Sequence, residues 1–494
     1  MMKDRITELL GQVSYNRYAL EYKRDDDTYV YPVITPMDGC ETEGLKPGFD
    51  YFKESMYPLT ERSSETDHPI EEIRDSIILG THGITKYEYD SPYKFHRPVP
   101  SARGFHPCEL YILSEEGVKR FNPVENAYDI LAKSSKQPGG HEFEILVAAD
   151  DWRLGKYYGN FAYVLSALDA GHIIGQISVL ASKYGCFTQV SYDVSTEYTD
   201  TLFIKYLKDQ GLVVFAGIKV RKDKNFGSGL YDFPVSGSRR ILYTEQRKKL
   251  LLRNEIVELR EACDESLNPK RILAPESDKG DLGEIPGKSI GHVLKERTSA
   301  HSHIGLMSMD ESAGLSDKLG RTEKELAHYL KFSGIDKYTN IYMYLNAEDV
   351  EYVRGYYKYD NIIKRWVKTC DADDGVAEWY RIIHDNHEFL NVESIPMVFF
   401  SSAKIDVIGE EYGNRLIDVM YMLSGEIVQI ICLLMTGFEF FCRPIKNINE
   451  DKIEEKLRIN NSTERITYAA LAGKANIVQR AADTSIFDGR PLNE

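Results

Sequence analysis

The stretch that decides the reading of this chain runs from Asp150 to Cys186: DDWRLGKYYGNFAYVLSALDAGHIIGQISVLASKYGC. It opens with a lysine beside two phenols, Lys156, Tyr157 and Tyr158, and a Gly159-Asn160 pair that marks a helix entry. Apolar residues then recur at helical spacing, with Phe161, Leu165, Leu168, His172 and Val179 on roughly one face. Gly171 and Gly175 lie about a turn apart on that helix and let another backbone come close. Gly185 supplies the stop signal. A diverged copy, EEYGNRLIDVMYMLSGEIVQIICLLMTGFEFF, runs from Glu410 to Phe441. In it Tyr412-Gly413-Asn414 answers Tyr158-Gly159-Asn160, and Ser424-Gly425-Glu426 answers Ala170-Gly171-His172. Gln176 and Gln429 fall one place out of register and carry little weight.

The repeat extends outward from these helices. An N-capped helix start follows Arg62-Ser63-Ser64, running from His68 to Leu79 and ending at Gly83-Ile84. A rigid loop, Arg97-Pro98-Val99-Pro100-Ser101-Ala102-Arg103-Gly104, leads to a strand over Glu109–Leu113, and Phe143–Val147 and Gly211–Val220 read as further strands. In the second half Arg297-Thr298-Ser299 answers Arg62 to Ser64, Asn340–Met343 answers the Tyr111 strand, and Leu471–Lys474 answers Ala216–Lys219. The distance from Tyr342 to Tyr412 exceeds that from Tyr111 to Tyr158, which places an insertion in the second half around Asp371 to Phe389. The second half has no counterpart of the Pro-Ser-Ala loop. These correspondences divide the chain into an arm (1–60), a first domain (61–222), a linker with a charged helix over Thr244–Cys263 (223–289) and a second domain (290–494).

Composition bounds the function. With 494 residues and 42% hydrophobic content, the chain can bury a full core in each of two domains. The net charge of −16 repels a phosphate backbone and argues against nucleic acid. Seven scattered cysteines with no CxxC spacing indicate reduced thiols, not a disulfide framework or a zinc site. The N-terminal MMKDRITELLGQ is polar and reads as no signal peptide. The longest apolar run, Ile427 to Phe438, contains Gln429 and is too short to span a bilayer, so a cytoplasmic protein with no membrane contact is expected.

The order R-x-S, helix, Pro-Ser-Ala loop, Glu-Leu-Tyr strand, Tyr-Gly-Asn helix with Ala-Gly-His, and a strand ending Gly-x-Lys resembles the flavin-dependent nitroreductase-like family. It is most similar to the azoline dehydrogenase branch, the thiazole- and oxazole-forming oxidases of ribosomal peptide natural products. The resemblance implies an α+β fold, a central antiparallel-rich sheet wrapped by helices, and FMN bound between two such units. Here the two halves of one chain would form an intramolecular pseudo-dimer.

The resemblance also assigns residues. Arg62/Ser64 and Arg297/Ser299 fall where the family holds the FMN phosphate, a task a guanidinium and a hydroxyl beside a helix start perform well. The family's next basic residue, two beyond the serine, is replaced here by Thr66 and His301. One site would combine Pro100, Ser101, Ala102 and the Lys156/Tyr157/Tyr158 group with Arg297, Ser299, Gly437 and Lys474. The other would combine Arg62, Ser64 and Lys219 with Glu411 and Tyr412, without a Pro-Ser loop, which predicts one good FMN site and one degenerate site. The family's catalytic Lys-Tyr pair maps with a shift: Tyr158 takes the tyrosine place, Tyr157 the lysine place, and Lys156 stands one residue earlier. The implied activity is oxidation of azolines to azoles in a peptide substrate, with cyclodehydratase partner subunits and an oligomer of the pseudo-dimer as expected associations. Two other classes stay open: a flavin enzyme reducing nitro compounds or quinones, and a scaffold subunit that has lost flavin. His172 reads as a hydrogen-bonded core histidine before a catalytic one. His384 and His387 lack further ligands for a metal, and no GxGxxG follows a strand.

Overall fold

The structure, a computed structural model, describes residues 37–38, 40–45, 69–88, 95–134, 142–192, 194, 202–223, 238–239, 271–273, 288–299, 307–308, 314–348, 351–373, 378, 381–383, 395–475 and 481–483. Arg62, Ser64, His301, the Thr244–Cys263 helix, His384 and His387 lie outside the described residues.

Alternating apolar segments build one large antiparallel sheet in each half. The first contains β1 (Glu41–Gly44), β2 (Cys108–Ser114), β3 (Gly117–Asn122), β4 (Ala127–Lys133), β5 (Glu142–Ala149), β6 (Phe187–Ser191), β7 (Val213–Arg221) and β8 (Arg271–Leu273). Their spatial order is β8-β6-β7-β5-β2-β3-β4-β1. The second contains β9 (Met307–Ser308), β10 (Thr339–Leu345), β11 (Gly355–Asp360), β12 (Arg365–Cys370), β13 (Met397–Lys404), β14 (Phe441–Ile445) and β15 (Glu464–Ala475). Its order is β9-β15-β13-β10-β11-β12, with β14 also paired to β15. Deleting the accessory strands leaves β6-β7-β5-β2-β3-β4 in one half and β14-β15-β13-β10-β11-β12 in the other. The strands correspond one to one, so the repeat read from two helices is a repeat of the whole fold. The extra length of the second half falls between β12 and β13.

The helices are α1 (Ile70–His82), α2 (Trp152–Tyr158), α3 (Ala162–Lys183), α4 (Leu202–Asp209), α5 (Ile290–Glu296), α6 (Leu315–Ser333), α7 (Ile405–Tyr412), α8 (Leu416–Gly437) and α9 (Glu450–Leu457). Helices α3 and α8 pair along their length and carry the core between the halves. Each is apolar nearly all round because each is covered on every side; Ala162–Ser182 and all of α8 are buried. Counting only uninterrupted apolar residues understated them. The segments Gly159–Lys183 and Ile405–Gly437 are long and apolar enough to cross a membrane, yet both are enclosed by the protein itself.

Glycine makes this pairing close. A Cβ at Gly171 would sit 2.0 Å from the Met422 carbonyl oxygen, and one at Gly425 would sit 2.2 Å from that of Leu168. Polar residues then fill the seam: Gln429 donates to Gln176 Oε1 at 2.8 Å, and Gln176 donates to the Gly80 carbonyl at 3.1 Å. The two glutamines that are out of register in sequence therefore meet in space. Strand Ala481–Asp483, close to the end of the second half, pairs with Lys86–Glu88 of the first, which pairs in turn with Phe95–His96.

Gly171→Ala is expected to lower the urea midpoint by forcing two backbones apart, at a cost on the order of 1–3 kcal/mol or more. Gly320→Ala in α6, where a Cβ meets nothing within 4 Å, should instead gain about 0.5–1 kcal/mol. Equal effects of the two substitutions would show that the crossing tolerates separation.

Candidate functional site

The cleft between the halves is built on the loop that follows Arg97. Ser101 is extended, and Ala102–Gly104 makes a single 3-10 turn in which Arg103 has a positive φ of 52°. A carboxylate in the apolar helix α3 pins this loop. Ser101 Oγ donates to Asp169 at 2.5 Å, the Ala102 N–H donates to the same carboxylate, and Ser101 Oγ accepts the His106 N–H at 2.9 Å. Burial pushes the Asp169 carboxyl up to about 7, against the opposing pull of these hydrogen bonds and of Arg97.

Beneath the loop lies a buried cationic group. The Arg97 guanidinium meets His82 Nε2, and burial together with Arg153 brings its pKa down to about 9. Burial and the Arg97 charge hold His82 and His106 far below the usual imidazole range, so both are neutral. The second half contributes Arg297, which donates from Nη2 to the Arg97 carbonyl at 3.1 Å. The Arg297-Thr298-Ser299 segment leaves α5 and is fixed on its other side, where the Thr298 carbonyl accepts the Cys442 N–H of β14 at 3.0 Å. The Arg-Thr-Ser segment and the Pro-Ser-Ala loop are thus brought together across the interface.

Aromatic rings form the outer wall. Phe105 and Tyr157 stack with centroids 4.8 Å apart. Arg103 donates to Tyr158 Oη at 3.2 Å and lies over both tyrosine rings. Arg443 of β14 approaches Tyr158 from the second half; burial lowers its pKa and Tyr158 opposes that shift. Ser101 to Phe105, Tyr157 to Asn160, Thr298, Ser299 and Arg443 are all half-buried, a strip of partial exposure in an otherwise closed interface. Asn160 Oδ1 is a buried acceptor with no hydrogen-bond partner there. Lys156 contributes its backbone to α2, and its side chain lies outside what the structure describes.

Other expected site residues are placed differently. Gly437 is the last residue of α8, one strand from the Arg297 segment, and Lys474 is an exposed residue of β15 opposite Ser308. Lys219 faces Glu144 across 3.9 Å in a buried ion pair of the first sheet. His172 is wholly buried, hydrogen-bonded to Gln429 at 3.1 Å and Tyr468 at 3.2 Å, and burial takes it down to about 3, so it is a neutral core residue. Asp169, Arg97, Arg103 and Arg443 escaped sequence reasoning. The signal for Asp169 was present, as a carboxylate in the middle of a helix whose neighbours are apolar.

At the pseudo-equivalent position the described side chains engage one another. Tyr412, the counterpart of Tyr158, is buried against Tyr192 at 5.6 Å and Tyr338 at 5.8 Å. Glu411 accepts from Tyr338 at 2.6 Å and pairs with Lys337, so it belongs to this cleft and not to the one containing Tyr158. Glu426, the counterpart of His172, accepts from Arg271 at 2.5 Å and Tyr329 at 2.7 Å. Arg271 belongs to β8, which runs antiparallel to β6 from within the stretch read as linker. Leu423 stands where Asp169 does in the repeat, so no carboxylate pins a loop there.

Because its folded-state value lies above the ordinary one, Asp169 takes up a proton on folding between about pH 4 and pH 7. It therefore disfavours the folded state increasingly as pH rises through that window. Asp169→Asn keeps an acceptor for the Ala102 N–H and does not titrate. From pH 5 to pH 8 the wild type should lose stability relative to the variant by on the order of 2–4 kcal/mol, measured by urea unfolding. A difference that stays constant with pH would show that Asp169 is ionised throughout.

Comparison with known proteins supports this architecture. No family model matches the chain, and no curated protein does. Among solved structures, a putative nitroreductase from Anabaena variabilis superposes with a TM-score of 0.64 at 15% identity, over 95% of this chain and 99% of that one. A putative nitroreductase from Ralstonia eutropha matches at a TM-score of 0.27 and 15% identity, over 41% of this chain and 89% of that one. A chain of the Escherichia coli microcin synthetase complex, solved with truncated pro-MccB17 bound, matches at 0.24 and 11% identity, over 28% and 52%. The Anabaena match shows that the chain has a nitroreductase-like fold, present here as two units in one polypeptide.

Proposed function

We propose that the chain is a flavin-dependent oxidoreductase that holds one FMN in the half-buried cleft between its two halves. The observation that carries this reading is the pairing, in one cleft, of a cationic group with an aromatic wall. Arg97 and Arg297 suit the charge of a phosphate. Phe105, Tyr157 and Tyr158 suit a flat ring system, and Asn160 Oδ1 is a buried acceptor suited to a ring N–H. The residues present fit the group. The twin position, with Arg271 engaged by Glu426, argues for a single cofactor per chain.

The finer reading is that the substrate is an azoline ring in a ribosomally made peptide, oxidised to the azole. It rests on the Lys156-Tyr157-Tyr158 group ahead of the Tyr-Gly-Asn helix, which resembles the Lys-Tyr element of azoline dehydrogenases. FMN, when bound, supplies a hydride acceptor. The chain's own residues do the rest. Lys156 takes the proton from the ring carbon that carries the peptide carbonyl, which requires its pKa to be drawn toward neutrality by desolvation and neighbouring cations. Tyr158, oriented by Arg103, positions the substrate at the cleft mouth. Asp169 holds the Pro-Ser-Ala loop in place from below.

Flavin released by denaturation should approach one per chain. Arg297→Ala should strip it while circular dichroism shows the fold retained, and Arg62→Ala should leave it bound. Two flavins per chain, or the reverse pattern, would remove the one-cleft reading. Protein that stays colourless on reconstitution would favour a scaffold subunit.

With an azoline peptide as substrate, Lys156→Ala should keep FMN and lose rate by a factor of about 100 to 10,000, with a smaller loss for Tyr158→Phe. Near wild-type turnover in Lys156→Ala would place the base elsewhere. Reduction of nitro compounds or quinones by NAD(P)H with no azoline turnover would identify a small-molecule enzyme.

A further inference from the structure

The two sheets end differently. In the first, the outermost strand β4 is covered by β1, an acidic strand from the N-terminal arm that runs antiparallel to it with Glu41 opposite Ile130 and Gly44 opposite Ala127. Two ion pairs fasten it: Lys119 with Glu43 at 3.0 Å, and Lys133 with Glu41. In the second sheet the pseudo-equivalent strand is β12, and among the described residues no strand pairs with its outer edge. An uncovered edge presents backbone donors and acceptors to solvent and is a template for a further strand.

The surroundings of this edge differ from the rest of the surface. The exposed large apolar residues among those described are Val353, Ile362, Ile363 and Val367, all in or beside the β11–β12 hairpin, with Ile362 90% and Ile363 58% exposed. The same corner is basic on a chain of net charge −16. Arg365 and Lys368 lie on β12 and Lys364 in the turn before it. A groove of about 400 Å³ between α6 and that turn is lined by Lys324, His328, Lys331 and Lys364, with Glu323 and Ala327. The acidic groups nearby already have partners. Glu323 accepts from Trp366 N–H and Tyr352, Asp360 accepts the Ile362 and Ile363 N–H groups, and Asp371 pairs with Lys368.

We propose that the β12 edge is a docking site for an acidic extended segment of another polypeptide, which adds to the second sheet as β1 adds to the first. Backbone hydrogen bonds along β12 supply the pairing, apart from the Trp366 N–H, which Glu323 already holds. Carboxylates on one face of the incoming strand meet Lys364 and the basic groove, and the apolar residues alternating with them on its other face lie beside Val367 and the aliphatic stem of Arg365. The first half supplies the template within the same molecule: an acidic strand, antiparallel, fastened by lysines on the sheet it joins. The proposal stands apart from the flavin reading, because neither the edge nor the groove includes a residue of the cleft.

The test uses the full chain and a fluorescein-labelled eight-residue peptide of alternating glutamate and valine, read by anisotropy, with a lysine-valine peptide as control. The glutamate peptide should bind, should slow hydrogen exchange at the amides of residues 365–370, and should weaken about tenfold or more between low and high salt. Lys364→Glu with Arg365→Glu should weaken it by a factor of about ten or more while leaving the thermal midpoint unchanged. Each of four results would overturn the proposal. They are no binding, equal binding of the lysine peptide, β12 amides already protected in the free chain by a segment of its own, and self-association in sedimentation that the double variant abolishes.

Discussion

Everything in this molecule depends on the contact of two helix backbones at Gly171 and Gly425. With a side chain at either position, α3 and α8 would stand further apart. The glutamine bridge between Gln176 and Gln429 would then lose its length, and the Arg297 segment would no longer reach the Arg97 carbonyl. Close approach of backbones is a matter of tenths of an ångström because packed interiors do not deform smoothly. The cleft is therefore defined by the crossing, although neither Gly171 nor Gly425 is among the residues of its half-buried strip.

A second consequence follows from making both halves one chain. In a symmetric dimer any substitution appears at both sites, so the two clefts stay alike. Here each half drifts separately. One cleft has a carboxylate-pinned loop and a half-open aromatic wall. The other has Leu423 in the place of Asp169 and Glu426 in that of His172, with Arg271 from the connecting segment paired to that carboxylate. A buried carboxylate costs a great deal unless it is paired and hydrogen-bonded, and Arg271, Tyr329 and Tyr192 meet that demand at Glu426.

Much of this was legible in the sequence. The repeated Tyr-Gly-Asn and Gly-x-x-x-Gly features located the central helices, and the recurring order of strands gave the fold class. Repetition is a strong signal because it needs no knowledge of packing. The cleft was legible only in part. Ser101 and Arg297 stand in motifs and so could be named from sequence, whereas Arg97, Asp169 and Arg443 meet them through three-dimensional neighbours that no local pattern records. Lys219 shows the converse: its place in the repeat can be read from the sequence, and the buried Glu144 opposite it cannot. The length of α3 and α8 was understated for a related reason, since a charged residue such as Glu426 ends an apolar run in sequence without ending the helix.

The strand Ala481–Asp483 completes a small sheet that begins at Lys86. Its partners are separated by nearly the whole chain, so this pairing closes last during synthesis. Strand Lys86–Glu88 pairs locally with Phe95–His96, just ahead of Arg97, but its second partner comes from the other half of the molecule. Long-range closures of this kind slow folding because chain entropy is lost before the contact is gained. The N-terminal half accordingly leaves the ribosome before Lys86–Glu88 has met this partner strand, and the small sheet is completed only once residues 481–483 have been made.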